Sequence, residues 1–234
     1  MNNQTLEIVI SKETWQKVAL AVGDKNPIHY IEKEAICPGI YLFSEAEKTA
    51  REDGRFQLPL NVKGKFYCWV YDNDRLKLDK TYLENKSVFT FFKDTGNSER
   101  EKIAEFEIEK ILCDYNFNGE IENAREISKD DLDSFSEALK IKNNGSIYSA
   151  FSVGRVLERF LVGREGSLLH NIAFNLYKDP ILGDFSVKLN VGEETKKRGR
   201  KEITKYFIQG EAIQSDQTIG IGFGEAQYKM VRRE

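Results

Sequence analysis

The sequence predicts an α+β chain built as two tandem halves, each a run of antiparallel strands curved around one long helix. Three observations carry this. Ile10-Ser11-Lys12-Glu13 recurs as Ile127-Ser128-Lys129-Asp130, an offset of 117 in a chain of 234 residues. In both halves helical segments precede the strands, in the same order. Residues 58–70 and 103–112 alternate apolar and polar positions, the mark of strands with one buried face.

The elements follow from N to C terminus. Leu6 to Ile10 reads as a short strand. Ser11 is placed to cap a helix whose apolar stripe is Trp15, Val18, Ala19 and Val22. A second helix runs from Gly39 to about Arg51, with Ile40, Phe43, Ala46 and Ala50 facing inward and Gly54 closing it. Leu58, Leu60, Val62, Gly64, Phe66, Cys68 and Val70 then share one strand face. Further strands are read at Ser87–Phe92 and Ile103–Leu112. Asn116–Glu122 reads as a turn-rich linker, which sets the domains at 1–118 and 119–234. The second half brings a helix to about Lys142, a helix over 147–161, and strands at Leu168–Leu176, Phe185–Val191, Glu202–Ala212 and Thr218–Tyr228.

Composition narrows the function. Hydrophobic residues make up 40% and the net charge is −3, so a packed core is expected and nothing in the overall charge points to nucleic acid. No secretory leader and no membrane-length apolar run is present, which reads as a cytoplasmic protein. Cys37, Cys68 and Cys113 are odd in number, far apart and without a CxxC pair. They read as reduced buried thiols, Cys37 as a packing residue, and they suggest neither a disulfide framework nor a metal site.

The most informative stretch is Val22-Gly23-Asp24-Lys25-Asn26-Pro27-Ile28-His29, followed by Ala35 and then Cys37-Pro38-Gly39. Gly23 ends a helix, and Pro27 stiffens the turn that holds an acid and an imidazole five positions apart. Two such groups held rigidly are suited to moving protons.

This stretch resembles the hydratase signature of the MaoC-like family, the (R)-specific enoyl-CoA hydratases and related 3-hydroxyacyl-thioester dehydratases. The pattern there is Gly-Asp-x-Asn-Pro-(aliphatic)-His, then Ala or Ser, then Pro-Gly. Val22 departs from it, standing where the family has a small residue. The resemblance is strong over residues 10–50 and rests on element order elsewhere. It implies the hot-dog fold, here as a double hot-dog or pseudo-dimer within one chain. It also implies reversible hydration of trans-2-enoyl thioesters, or dehydration of (R)-3-hydroxyacyl thioesters. Asp24 and His29 would be the catalytic pair. Gly39 would give the oxyanion N–H at a helix start, with Asn26 and Pro38 beside it. No metal or redox cofactor is called for, since the substrate arrives on coenzyme A or on the phosphopantetheine of an acyl carrier protein. A hot-dog thioesterase and a non-catalytic acyl-thioester binding module are the alternatives, and further pairing into a homodimer stays open.

The repeat has a consequence for the site. At the offset of 117, Ile141 and Ser146 stand where Asp24 and His29 would be, so the second half is expected to be degenerate and to line an acyl tunnel with its 147–161 helix. Gly154 is a point of close approach on that helix. His170 shares an alternating face with Leu168, Ile172 and Phe174 and is expected on the inner face of the sheet. Gly220, Gly222 and Gly224 sit on one strand face, admitting a close neighbour rather than a dinucleotide. The basic run Lys196–Lys201 reads as a solvated hairpin turn, with a phosphate contact or an acidic-carrier patch as the sharper reading.

Overall fold

The computed structural model describes residues 4–32, 34–95, 99–115, 117, 119–141, 147–198 and 201–231. The first half runs β1 (Gln4–Val9), α1 (Lys12–Val22), a 3-10 turn (Pro27–His29), α2 (Gly39–Glu52), β2 (Leu60–Phe66), β3 (Arg75–Tyr82), β4 (Lys86–Asp94) and β5 (Arg100–Glu109). The second runs β6 (Glu120–Ile127), α3 (Lys129–Ala138), α4 (Ala150–Leu161), β7 (Leu168–Leu176), β8 (Gly183–Arg198), β9 (Lys201–Gln214) and β10 (Gln217–Val231). One ten-stranded sheet has the order β1-β3-β4-β5-β2-β7-β10-β9-β8-β6. The order is palindromic: each strand of the first half has its counterpart in the second, and β2 meets β7 antiparallel at the middle, Leu60–Lys65 against Leu176–Asn171.

The offset of 117 survives in the structure, since α1 and α3 open at Lys12 and Lys129. The apolar stripe of α1 is buried as its spacing requires. Ser11 holds the N-cap position of α1 without a side-chain bond, whereas Ser128 makes a full capping box with Asp131 on α3. Both long helices, α2 and α4, lie in the core, and α4 is buried at nearly every position.

Several elements depart from the sequence reading. β3 went unread because its inward row, Leu76, Leu78 and Lys80, ends on a lysine, which is half of an ion pair with Asp53. β6 begins within the residues expected as linker, at Glu120, and runs past them to Ile127. It is an edge strand bearing four charged residues with only Ile127 fully buried, so no apolar alternation announces it. β2 stops at Phe66 and α4 opens at Ala150, three residues later than expected. Our boundary at 118/119 falls between β5 and β6, and residues 116 and 118 lie outside the described residues. The neighbouring segment crosses the outside of the central seam. There Asn175 bonds both the N–H and the carbonyl of Cys113, and Asn61 bonds Asn175 and Tyr115.

Two interactions lock the halves together behind the site. Glu47 of α2 accepts from the N–H groups of Ser149 (2.7 Å) and Ala150 (2.9 Å), so a buried carboxylate caps α4 across the halves. Arg51 bonds Glu47 and Asp179 and lies over the rings of Phe56 and Tyr148. Gly154 faces the end of α1: a Cβ there would stand 2.7 Å from the Cβ of Val22, so the bulky residue at 22 is matched by the absence of a side chain at 154. At Gly222 a Cβ would run into the Ala173 carbonyl and the Phe174 backbone, which is the close approach of β7 that the glycine row foretold.

The Lys196–Lys201 run is the β8–β9 hairpin, with Arg198 opposite Lys201 and Lys196 paired to Glu194 at 3.0 Å. Residues 199 and 200 lie outside the described residues, as does Ser146, the counterpart of His29. No helix among the described residues is long and apolar enough to cross a membrane.

Candidate active site

The loop after α1 is built residue by residue to bury an acid and an imidazole side by side. Gly23 closes the helix in the left-handed region (φ 94°), and a Cβ there would lie 2.5 Å from Arg155 and Glu158 of α4. The Asp24 N–H bonds Ala19 O at 2.8 Å, and its Oδ1 accepts from the Asn26 N–H at 3.1 Å, an Asx turn. Pro27 then opens the 3-10 turn that lifts His29 back over the carboxylate. His29 Nε2 stands 3.4 Å from Asp24 Oδ2, with Asp24 6% and His29 5% exposed.

The imidazole is oriented by its other nitrogen. Nδ1 donates to the Ile36 carbonyl at 2.5 Å, which places that proton on Nδ1 and leaves Nε2 to face the acid. Tyr30 donates to the Asp24 carbonyl at 2.7 Å, and burial raises its phenol above the ordinary range, so it stays a donor. Gln16 donates to the His29 carbonyl.

Asn26 fixes the loop to the other half. Its Nδ2 donates to Ser167 O at 2.7 Å, and its Oδ1 accepts from the Gly166 N–H at 2.9 Å. Both partners lie in the turn between α4 and β7.

Asp24, Asn26, His29 and Gly39 all line one cavity of about 100 Å³. Gly39 is the first residue of α2, so its N–H has no acceptor within the helix and points along the positive end of the dipole. A Cβ at Gly39 would stand 2.6 Å from the Phe66 ring. Pro38, the N-cap of α2, is not part of the cavity wall; its carbonyl takes the Tyr41 N–H and sets the helix start. Cys37 is buried, and burial pushes its thiol well above its ordinary value, so it is a packing group rather than a thiolate. Cys68 and Cys113 are free but only half-buried, short of the burial expected of them.

The far wall was not read from the sequence. It comes from Leu157, Phe160 and Leu161 of α4 and from Ser167 to His170. The one available signal was the Gly163–Gly166 spacing, which marks a turn but not its partner. His170 corrects an expectation. It is exposed at the cavity rim, not on the inner face, because β7 carries a bulge there: Asn171 pairs with Glu225 and Leu169 with Ala226, leaving His170 unmatched and the alternation shifted. Gly154 and Ala150 are also no part of the wall, so α4 meets the cavity through its last two turns only.

No protein-family model and no curated protein sequence matches this chain. Solved structures do. A MaoC-like dehydratase from Phytophthora capsici superposes with a TM-score of 0.64 at 10% identity, over 97% of this chain and 95% of that one. A Mycobacterium tuberculosis protein described as having a double hot-dog fold superposes at 0.58 and 6%, over 98% and 97%. The chain has a double hot-dog fold. A 12:0-ACP thioesterase from Umbellularia californica shares it, at 0.58 and 9% over 97% and 98%. At these identities the likeness concerns the fold. Within this double hot-dog, the Asp24–His29 loop belongs to the first half and a large part of its apolar wall to the second.

Proposed function

We propose that this double hot-dog catalyses reversible hydration of trans-2-enoyl thioesters, or the reverse dehydration of (R)-3-hydroxyacyl thioesters. The observation that carries the reading is the buried Asp24–His29 pair at 3.4 Å, lining the same cavity as Gly39, the first residue of α2. A water held between Asp24 and His29 gives one proton to the pair while its oxygen bonds Cβ. The π electrons move toward the thioester oxygen, where the Gly39 N–H and the α2 dipole stabilise the enolate. The pair then returns a proton to Cα, and no metal or redox step enters. Such general acid–base help is worth roughly 10²–10⁴-fold.

The carrier is coenzyme A or a phosphopantetheine arm, the site is one per chain, and three free thiols suit a reducing cytoplasm. Thioester hydrolysis is the second reading, since a thioesterase shares the fold. One assay separates them: crotonyl-CoA with the purified chain, following the conjugated enoyl absorbance and free thiol together. Hydration bleaches the band without thiol, hydrolysis releases thiol, and a binding module does neither. Thiol release or an unchanged band would overturn the proposal.

A further inference from the structure

The cavity holding the acid–imidazole pair is walled by aromatic rings from both halves, packed in different ways. An apolar cavity of about 150 Å³ takes benzene, six carbon atoms. The volume here, about 100 Å³, is smaller than that.

Toward the first half the wall is several rings deep. Phe66 meets Phe106 edge-on at 5.6 Å, and Phe106 meets Phe43 at 5.8 Å and Phe91 at 6.0 Å, the last three fully buried. Toward the second half one ring, Phe160, stands between the cavity and a second apolar cluster. Phe160, 2% exposed, lines the cavity on one side and stands edge-on to Tyr206 at 5.6 Å on the other. Behind it lie Tyr206 and Ile208, with Leu189 and Val191 packed against them, between α4 and the β8–β10 sheet. Arg164 holds the ring in place: its guanidinium lies over Phe160 at 5.7 Å and over Tyr206 at 5.8 Å, and its Nη1 bonds the Phe160 carbonyl at 3.2 Å.

We infer that Phe160 sets the acyl length this site accepts: it confines the acyl group to a short chain and bars longer chains from the interior of the second half. The inference rests on the reading of this cavity as an acyl-thioester site, and it replaces the sequence expectation of an open acyl tunnel along α4. A longer chain running toward α4 would have to displace a ring pinned by a guanidinium on one side and backed by Tyr206 on the other. Phe160 is thus a specificity-determining residue with no titratable group to take part in the proton transfers.

The test uses the full chain and two readouts. Calorimetry measures binding of saturated butyryl-, octanoyl- and dodecanoyl-CoA, which needs no turnover. Kinetics compares crotonyl-CoA with trans-2-octenoyl-CoA. The wild type should favour the four-carbon thioester by about tenfold or more in both. Phe160→Leu, a mild change, and Phe160→Ala should each move that ratio toward the longer chain, the second by more. Equal wild-type affinity for butyryl- and dodecanoyl-CoA, no binding of any acyl-CoA, or a ratio that neither variant moves would overturn the inference. Length-selective binding that shifts with Phe160 but comes without hydration would uphold it while refuting the hydratase reading.

Discussion

Asn26→Ala should detach the Asp24–His29 loop from the second half at a measurable cost. Asn26 is 3% exposed and makes two bonds across the halves, to Ser167 O at 2.7 Å and from Gly166 N at 2.9 Å. The truncation leaves a buried carbonyl and a half-buried N–H without partners, each costing about 1–3 kcal/mol, so roughly 2–6 kcal/mol in total. Domains of this class hold about 5–15 kcal/mol, and for a chain of this size each kcal/mol is worth about 2–4 °C of Tm. The variant should therefore still fold, with a lower urea midpoint, an unchanged m-value and a Tm lower by roughly 4 °C or more. Asp24 sits two residues away and bonds the Asn26 N–H, so hydration at 25 °C should fall further than the unfolded fraction explains. Asn26→Asp keeps the acceptor for Gly166 but turns an oxygen toward Ser167 O, and should rank between the two. A midpoint equal to wild type in Asn26→Ala would refute the claim that this clamp carries stability.

Other consequences follow from the same contacts. Gly154→Leu should lower Tm by several degrees and leave the chain-length ratio untouched, because its side chain would meet Val22 rather than substrate; thermal melts and the thioester series check both. Glu47→Ala should cost about 3–5 kcal/mol in urea melts, since it leaves Arg51 without a buried partner and uncaps α4. Lys63 first, then Lys86, holds the Glu109 carboxyl below its usual 4.5. That pairing stabilises the fold fully above pH 4.5 and is lost as pH falls through the depressed folded value. Tm against pH should therefore drop below 4.5, and Glu109→Gln should flatten that part of the curve.

How much was legible depended on how far apart the partners lie in sequence. The acid–base loop could be read because Gly23, Asp24, Asn26, Pro27 and His29 are neighbours, and a turn of this kind is specified by its own residues. The helices α1 and α2 and strands such as β4 and β7 carried their period openly. β3 and β6 did not, since Lys80 faces inward on one and charges line the other. The far wall was beyond reach of any local pattern: Asn26 meets Ser167 across 141 residues. Even a correct strand assignment could mislead, as at His170, where a one-residue bulge turned an inward position outward.

The central claim is that Asp24 and His29 move the protons. Asp24→Asn keeps the Oδ1 acceptor for the Asn26 N–H and removes the charge, and His29→Ala removes the imidazole. The most direct measurement is kcat for crotonyl-CoA hydration in both variants beside wild type, with circular dichroism confirming folded protein. The account predicts a loss of about 10²-fold or more in each. Turnover within a few-fold of wild type in either folded variant would contradict it.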